Sequence, residues 1–365
     1  MAEKLTRGEA MLLDSLAALN ALESIGRQYY RRSGGKLISP ALTSDDLRHF
    51  RDLADEYGMN LPPDEPFGPL SDFTFNRRIT ETEAIAEHFD ISMAIQPKYI
   101  GNAPHVHDYF EITCVCRGKI KHIIGGETLE MEQGDICILT PGVMHDIVSV
   151  HDDNVVPVIH LRRSTFDRTF FRILSEDDVL GEYFHKVISG DSAAEYILFR
   201  TGEDWDITRI ILDMSWESQH PRDYTKQYLD TQLAMLFLRL LRDHYRSLTV
   251  GGENSASRNT EPLLILQHIK SNFATATLAA TAEMFHYNSA YLSRMLKQTF
   301  GRSFTEIRSE IRLTKARQLL LETDMPVDRV SESVGYEGLS HFHREFKKRF
   351  GFSPGEYRRK TINQQ

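Results

Sequence analysis

His105, His107 and Glu111 stand close together in the chain, and His145 follows a Gly134-Asp135 and a Pro141-Gly142 farther on. Imidazole and carboxylate are compact nitrogen and oxygen donors, so three histidines and a glutamate that meet in space can bind Fe, Mn, Ni or Zn. The same groups donate and accept hydrogen bonds, which equally suits the hydroxyls of a sugar-sized ligand within an apolar shell. His105, His107 and Glu111 share odd parity, so an unbroken strand would aim all three at one face. Toward the other end of the chain, Arg294 and Arg344 lie at corresponding places in two similar patterns. Each guanidinium can fork onto guanine O6 and N7, a contact worth roughly 1–3 kcal/mol of discrimination between bases. The sequence offers no Ser/His/Asp set, phosphate loop or C-x-x-C pair to support another chemistry.

The arginines need helices to aim them, and the pattern supplies two helix-turn-helix units. The first runs Leu278–Phe285, turns at His286-Tyr287-Asn288 and continues from Ser289 to Gln298. The second runs Val327–Val334, turns at Gly335-Tyr336-Glu337-Gly338 and continues from Leu339 to Lys348. Helical spacing puts Leu292, Met295 and Leu296 on one face and Ala290, Ser293, Arg294 and Lys297 on the other. In the second unit Phe342, Phe346 and Phe350 bury, leaving Leu339, Ser340, His343, Arg344 and Lys347 outside. Lys297, Lys347 and Lys348 suit phosphates, which position a protein without specifying sequence. Between the units, Phe304 to Thr323 should form a rod of roughly 30 Å at ~1.5 Å per residue. That approaches the ~34 Å of one DNA turn, so both outer faces can enter successive major grooves.

The histidines need strands. Short β-branched runs at Ile91–Gln96, Phe110–Cys116, Lys119–Ile124, Ile136–Leu139 and Val155–Leu161 are separated by Gly and Pro, the pattern of a small barrel or sandwich. Cys114, Cys116 and Cys137 fall in or beside these strands and are expected as buried reduced thiols. Helices are expected at Glu9–Tyr30 and Ser44–Tyr57, ahead of a Pro-rich stretch at 61–66. Residues 165–248 return to helix, with Leu229, Leu233, Leu236, Phe237, Leu240 and Leu241 in a stripe wide enough to serve both a core and a second subunit.

Charge separates the ends. The chain carries −9 overall, yet 261–365 holds 16 Lys and Arg against 11 Asp and Glu, leaving 27 against 41 elsewhere. A basic tail on an acidic body is the asymmetry of a DNA reader attached to something else. No apolar run reaches the roughly 18 residues that span a bilayer, and no signal segment opens the chain, so a cytoplasmic protein without a membrane partner is expected.

The tail closely resembles the DNA-binding domain of the AraC/XylS family of transcription regulators. The resemblance runs from Leu263 to Arg359 and is strongest at Ala316-Arg317-Gln318-Leu319-Leu320, Gly335-Tyr336, Ser340-His341-Phe342 and the closing Phe350-Gly351-Phe352-Ser353-Pro354-Gly355-Glu356-Tyr357-Arg358. It implies promoter binding, usually with activation, through Ala290, Ser293 and Arg294 in the first unit and Leu339, Ser340, His343 and Arg344 in the second. The segments around His105 and His145 resemble the two cupin motifs, with Thr140 replacing a usual proline and a shorter approach to His105. The family's sensor domains imply that His105, His107, Glu111 and His145 line an effector pocket, for a carbohydrate, with no metal and no cofactor.

The expected fold class is α+β and multidomain. Residues 1–75 form a helical extension of unknown role, 76–163 a cupin-like β-barrel sensor, 164–248 a helical dimerisation segment, 249–262 a flexible linker and 263–365 an all-α double helix-turn-helix domain. The expected partners are double-stranded promoter DNA, a small-molecule effector of sugar type and a second copy in a homodimer. Regulation rather than catalysis is expected. The alternatives are a metal-dependent cupin enzyme of isomerase or dioxygenase type fused to a DNA-binding tail, and a regulator whose β domain only dimerises.

Overall fold

The computed structural model describes residues 5–37, 44–56, 77–101, 104–173, 195–251 and 261–362. The Pro-rich stretch at 61–66 and linker positions 252–260 lie outside the described residues. The chain divides into two compact units, residues up to 251 in one and 261–362 in the other.

In the first unit the opening helix breaks where a single one was expected. Helix α1 covers Arg7–Ala17, α2 covers Ala21–Arg32 and α3 covers Ser44–Glu56. Asn20 explains the break. Its side chain accepts from the Glu23 amide at 2.8 Å, and the Glu23 carboxylate accepts from the Asn20 amide at 3.0 Å. This reciprocal capping box starts a new helix.

Among the described residues eleven strands build two sheets facing each other. Strands β1 (Arg77–Ile79), β3 (His105–His107), β5 (Lys119–Ile124), β6 (Glu127–Glu132) and β8 (His145–Val148) form one, in the order β1-β3-β8-β5-β6. The other contains β2 (Ile91–Ile95), β4 (Phe110–Cys114), β7 (Asp135–Leu139), β9 (Pro157–Leu161), β10 (Tyr196–Arg200) and β11 (Thr249–Gly251), in the order β11-β10-β7-β4-β9-β2. A short helix at Glu81–Ala84, α4, joins β1 to β2. Alternation sets the inner face: Ile120, His122 and Ile124 of β5 are buried while Lys119 and Lys121 are exposed. The interior is closed by Val115, Met131, Cys137, Leu139, Ile147, Val156, Val158 and Leu198. Cys114, Cys116 and Cys137 are all free and buried, as expected.

Two expectations are corrected here. Residues 164–248 are not wholly helical: β10 inserts between β7 and β11, pairing Leu198 with Cys137 and Ile197 with Ile138. Nor does the linker begin at 249, because Thr249 pairs with Leu198 in β11. Strand β10 covers the edge of β7 and β11 covers that of β10, pairing backbone groups that would otherwise be left open. The Gly134 turn before β7 is part of this closure. It has φ +89°, and a Cβ at that position would run into the Gly202 carbonyl oxygen.

Helices α5 (Arg163–Ile173), α6 (Trp205–Gln219) and α7 (Thr225–Asp243) complete the unit. Phe110 of β4 stacks on Phe166 of α5 with centroids 3.8 Å apart, and Phe237 of α7 meets Phe170 edge-on at 5.0 Å. This packing corrects the dimer stripe: Leu229, Leu233, Leu236, Phe237 and Leu240 are at most 2% exposed within one chain.

The second unit is entirely helical. Helix α8 covers Glu261–Ser271, α9 Leu278–Met284, α10 Ser289–Phe300, α11 Phe304–Glu322, α12 Val327–Ser333, α13 Leu339–Phe350 and α14 Pro354–Ile362. The long helix α11 belongs to two cores. Phe304 and Ile307 pack with Leu292, Leu296 and Ile269, whereas Leu313, Ala316 and Leu320 pack with Val330, Phe342 and Phe346. Its 19 residues give a rod of about 28 Å.

Candidate functional site

The two helix-turn-helix units match helix for helix, with a turn one residue longer in the second. Asn288 caps α10 where Gly338 caps α13, and Gly301 and Gly351 end those helices in the left-handed conformation. Ser303 with Glu306 forms a capping box at the start of α11, and Ser353 accepts from the Glu356 amide and donates to its carboxylate at the start of α14. At the second turn Gly335 has φ +86°, and a Cβ would lie 2.5 Å from the Ala274 carbonyl oxygen. Only glycine fits there.

Each recognition helix turns one polar face outward. Ala290, Arg294 and Lys297 of α10 are exposed and Ser293 is half-buried; Leu339, Ser340, Arg344 and Lys347 of α13 are exposed and His343 is half-buried. Arg344 is 72% exposed, with its Nε 3.8 Å from Glu345 Oε1. His343 sits deeper than the sequence suggested, and its Nε2 makes no hydrogen bond among the described residues.

Sequence reasoning missed the residues that hold these faces in register. Arg312 of α11 donates to the Phe273 and Ala274 carbonyls at 2.8 and 2.6 Å while its guanidinium lies 5.6 Å from the Tyr336 ring centroid. One side chain thus ties the first unit's loop to the second unit's turn. Arg308 reaches the Ala276 carbonyl at 2.6 Å, and Arg358 reaches the Leu320 and Met325 carbonyls at 3.0 and 2.6 Å. Charged donors on backbone carbonyls make stronger hydrogen bonds than neutral pairs, and the planar fork fixes direction as well. No periodicity marks an arginine for such work.

In the first unit the four expected residues meet, but by another route than a single strand. The chain leaves β3 at His107 and enters β4 at Phe110, crossing from one sheet to the other. His105, His107 and His145 therefore face Glu111 across the interior. Glu111 Oε2 lies 3.6 Å from His107 Nε2, and Oε1 lies 3.7 Å from His145 Nε2. His105 pairs with His145 across β3 and β8, with ring centroids 4.3 Å apart.

Two more histidines join them. His160, opposite Glu111 in the β4–β9 register, brings its Nε2 to 3.8 Å from Glu111 Oε2. His122 of β5 is fully buried with no hydrogen bond on either ring nitrogen among the described residues, 5.6 Å from His145 between centroids. Register alone gathers them, so no local motif could have marked them.

The cluster polarises its own members. Burial pushes the Glu111 carboxyl up, but His145 and His107 outweigh it and hold it well below the usual carboxylate range. Burial opposes the charged form of His145 as well, yet Glu111 lifts that imidazole above its ordinary value. Burial lowers His160, and it pushes His122 down to about 3, keeping that ring neutral.

A double helix-turn-helix reader that follows an internal ligand-binding sheet domain defines a DNA-binding transcription regulator equipped with a small-molecule domain. Residues 281–360 match the helix-turn-helix domain family and residues 95–176 match the AraC-like ligand binding domain. The chain thus carries a helix-turn-helix domain and an AraC-like ligand binding domain. Its curated relatives include the HTH-type transcriptional activator RhaS of Escherichia fergusonii, 28% identical over 277 residues, spanning 74% of this chain and 92% of that protein. RhaS of Escherichia coli is 27% identical over 273 residues, with 73% and 92% covered. Among solved structures, the C-terminal domain of AraT, a response regulator from Geobacillus stearothermophilus, is 40% identical over 27% of this chain and 84% of its own, with a TM-score of 0.27. ToxT from Vibrio cholerae is 15% identical over 73% and 97%, with a TM-score of 0.29. Among the described residues no helix is long and apolar enough to cross a membrane.

Proposed function

We propose that this chain activates transcription from promoters with two adjacent half-sites, in response to a polar effector of carbohydrate type taken up beside the histidine cluster. The observation that carries the reading is the matched pair of outward faces bearing Arg294 and Arg344, held at the ends of one 19-residue rod. Selection of duplexes from random DNA by the full-length protein tests it. The bound pool should show two blocks of base preference about one helical turn, roughly 10 bp, apart. Affinity should fall steeply with salt as phosphates release their counterions. A pool with a single block, or with none, would end the two-groove reading.

The effector belongs to the same proposal. Polar groups converging inside an apolar shell are the usual arrangement of a small-ligand site, and a ring of imidazoles with one carboxylate suits hydroxyls better than hydrocarbon. Coupling to DNA requires that the effector bind two states of the protein unequally.

Dimerisation moves to the opposite face of α7. Tyr228, Met235 and Leu238 are exposed on one side of the helix, the first about two turns before the second, with Tyr224 at the helix start. A second copy laid against this stripe would cover it and bring two DNA readers together on paired sites. Full-length protein carrying Met235→Glu and Leu238→Glu should sediment as a monomer at micromolar concentration while the parent sediments as a dimer. An unchanged dimer removes α7 as the interface.

A further inference from the structure

We propose that Glu310 is a positioning residue for DNA recognition. It straps the C-terminal ends of both recognition helices to the middle of α11 and so sets the half-site spacing that the protein accepts. This rests on the two-groove reading above and adds to it the group that fixes the distance.

One carboxylate serves both units. Arg302, the residue after the Gly301 that ends α10, donates from Nη1 to Glu310 Oε2. Arg349, in the last turn of α13, donates from Nη2 to Glu310 Oε1 at 3.4 Å. Each oxygen thus takes a different guanidinium, one from each helix-turn-helix unit. The Glu310 side chain is 13% exposed, with Arg302 at 28% and Arg349 at 41%, so salt and water screen these pairs less than they would on an open face.

The place of Glu310 on the rod gives the strap its effect. Glu310 and Arg312 stand two residues apart, about 200° around α11 at ~100° per residue, so they leave the rod on nearly opposite sides. Arg312 holds the first unit's loop at Phe273 and Ala274 while lying over the Tyr336 ring of the second. A cleft of about 670 Å³ opens beside α11, and both ties line it: Arg302, Glu310 and Arg349, and Arg312 with Tyr336. Apolar packing does not fill that gap, so the ionic ties hold its walls at their separation.

Spacing is the property such ties control. Long helices bend gently, and a bend of about 5° at the centre of a 19-residue rod shifts an end by roughly 1 Å. One base pair inserted between half-sites moves a block by ~3.4 Å along the duplex and turns it by roughly 35°. A rod tied on both sides cannot follow that change. A rod that keeps the Arg312 tie and loses the Glu310 strap can swing toward one side and follow part of it.

Full-length Glu310→Gln tests the strap on duplexes carrying the selected site unaltered, with one base pair inserted between the blocks, and with one removed. An amide keeps one acceptor oxygen and puts donors in place of the other, so it can hold one arginine and not both. The parent should lose at least about tenfold in affinity on either altered duplex, a cost comparable to one mismatched base pair. Glu310→Gln, Arg302→Gln and Arg349→Gln should each shrink that loss by about three- to fivefold, which is what one such ion pair can withhold, with affinity for the unaltered site changed by less than about fivefold. Arg358→Gln, whose ties to the Leu320 and Met325 carbonyls lie within the second unit, should lower the unfolding midpoint and leave the spacing preference as in the parent. Lost stability alone therefore does not move this readout. Circular dichroism checks that the variants fold, and Arg302→Gln carries the test if Glu310→Gln does not. A parent that binds all three duplexes alike ends the two-groove reading and this proposal with it. A parent with a sharp spacing preference that the Glu310 and Arg302 variants retain in full overturns this proposal and leaves the two-groove reading standing.

Discussion

A chain carrying both Arg294→Ala and Arg344→Ala should still bind DNA but lose a large part of its preference between sequences. Each guanidinium projects from the exposed face of its recognition helix, on α10 and on α13. A bidentate contact to guanine is worth roughly 1–3 kcal/mol of discrimination. The two arginines belong to separate units built on different halves of α11, so their losses should add. Together they remove roughly 2–6 kcal/mol, or from about thirtyfold to more than ten-thousandfold at ~1.4 kcal/mol per decade. Specific binding of such proteins typically exceeds non-specific binding by about a thousandfold to ten-millionfold, roughly 4–10 kcal/mol, so about half of the preference should go in free-energy terms. Lys347→Ala should behave differently, weakening all duplexes alike and shallowing the salt slope by about one unit. Competition between the selected site and a scrambled duplex at fixed salt separates the two effects. Undiminished preference in the double variant would mean that other groups read the bases.

Legibility in the sequence followed how local each signal was. The helix-turn-helix units were readable because their stripes, caps and turn residues sit within a few positions of one another, Leu292 with Leu296 and Phe342 with Phe346. Strand β5 was readable because Ile120, His122 and Ile124 alternate with lysines. Strand β6 was not, since glutamates dominate Glu127–Glu132 and only Met131 is fully buried. Strand β10, Tyr-Ile-Leu-Phe-Arg, is an apolar run too short to distinguish from a turn of helix, and its pairing with β7 is non-local. The sensor cluster divides the same way. His105, His107, Glu111 and His145 came from local motifs, whereas His160 and His122 come from register: Glu111 opposite His160, and Ile124 opposite His145 on the strand that carries His122. Parity placed His107 and Glu111 on one face for the wrong reason, because they face each other from two sheets.

Glu23→Ala should be the most damaging single change in the first unit. The carboxylate serves three groups at once. It accepts from the Asn20 amide at 3.0 Å, accepts from the Lys98 amide at 2.9 Å and lies 3.8 Å from Lys98 Nζ. Lys98 is 1% exposed, and its ammonium donates to the Ala17 carbonyl at 3.1 Å, at the C-terminus of α1 where the helix dipole favours a cation. Burial pulls the Lys98 ammonium below its ordinary pKa, and Glu23 is the first group opposing that. Removing one partner of a buried pair strands the other charge and costs about 3–5 kcal/mol, out of a total stability of roughly 5–15 kcal/mol. Other ion pairs of these helices are more exposed, among them Arg27 to Asp152 at 2.7 Å, Arg117 to Asp14 at 2.9 Å and Arg209 to Glu9 at 2.5 Å, each worth about 1 kcal/mol or less. Denaturant unfolding of the full chain should show the loss, and protease should cut first within residues 5–37. Lys98→Met added to Glu23→Ala should restore at least half of it, since an apolar side chain of similar length needs no partner. Recovery is the decisive readout, because a merely helix-capping Glu23 would gain nothing from a change at Lys98. Lys98 and Tyr99 lie on the segment between β2 and β3, so the same pair that seats the amino-terminal helices also holds the approach to His105 and His107. A loss under about 1 kcal/mol, or no rescue by Lys98→Met, would show that the ion pair does not hold the helices in place.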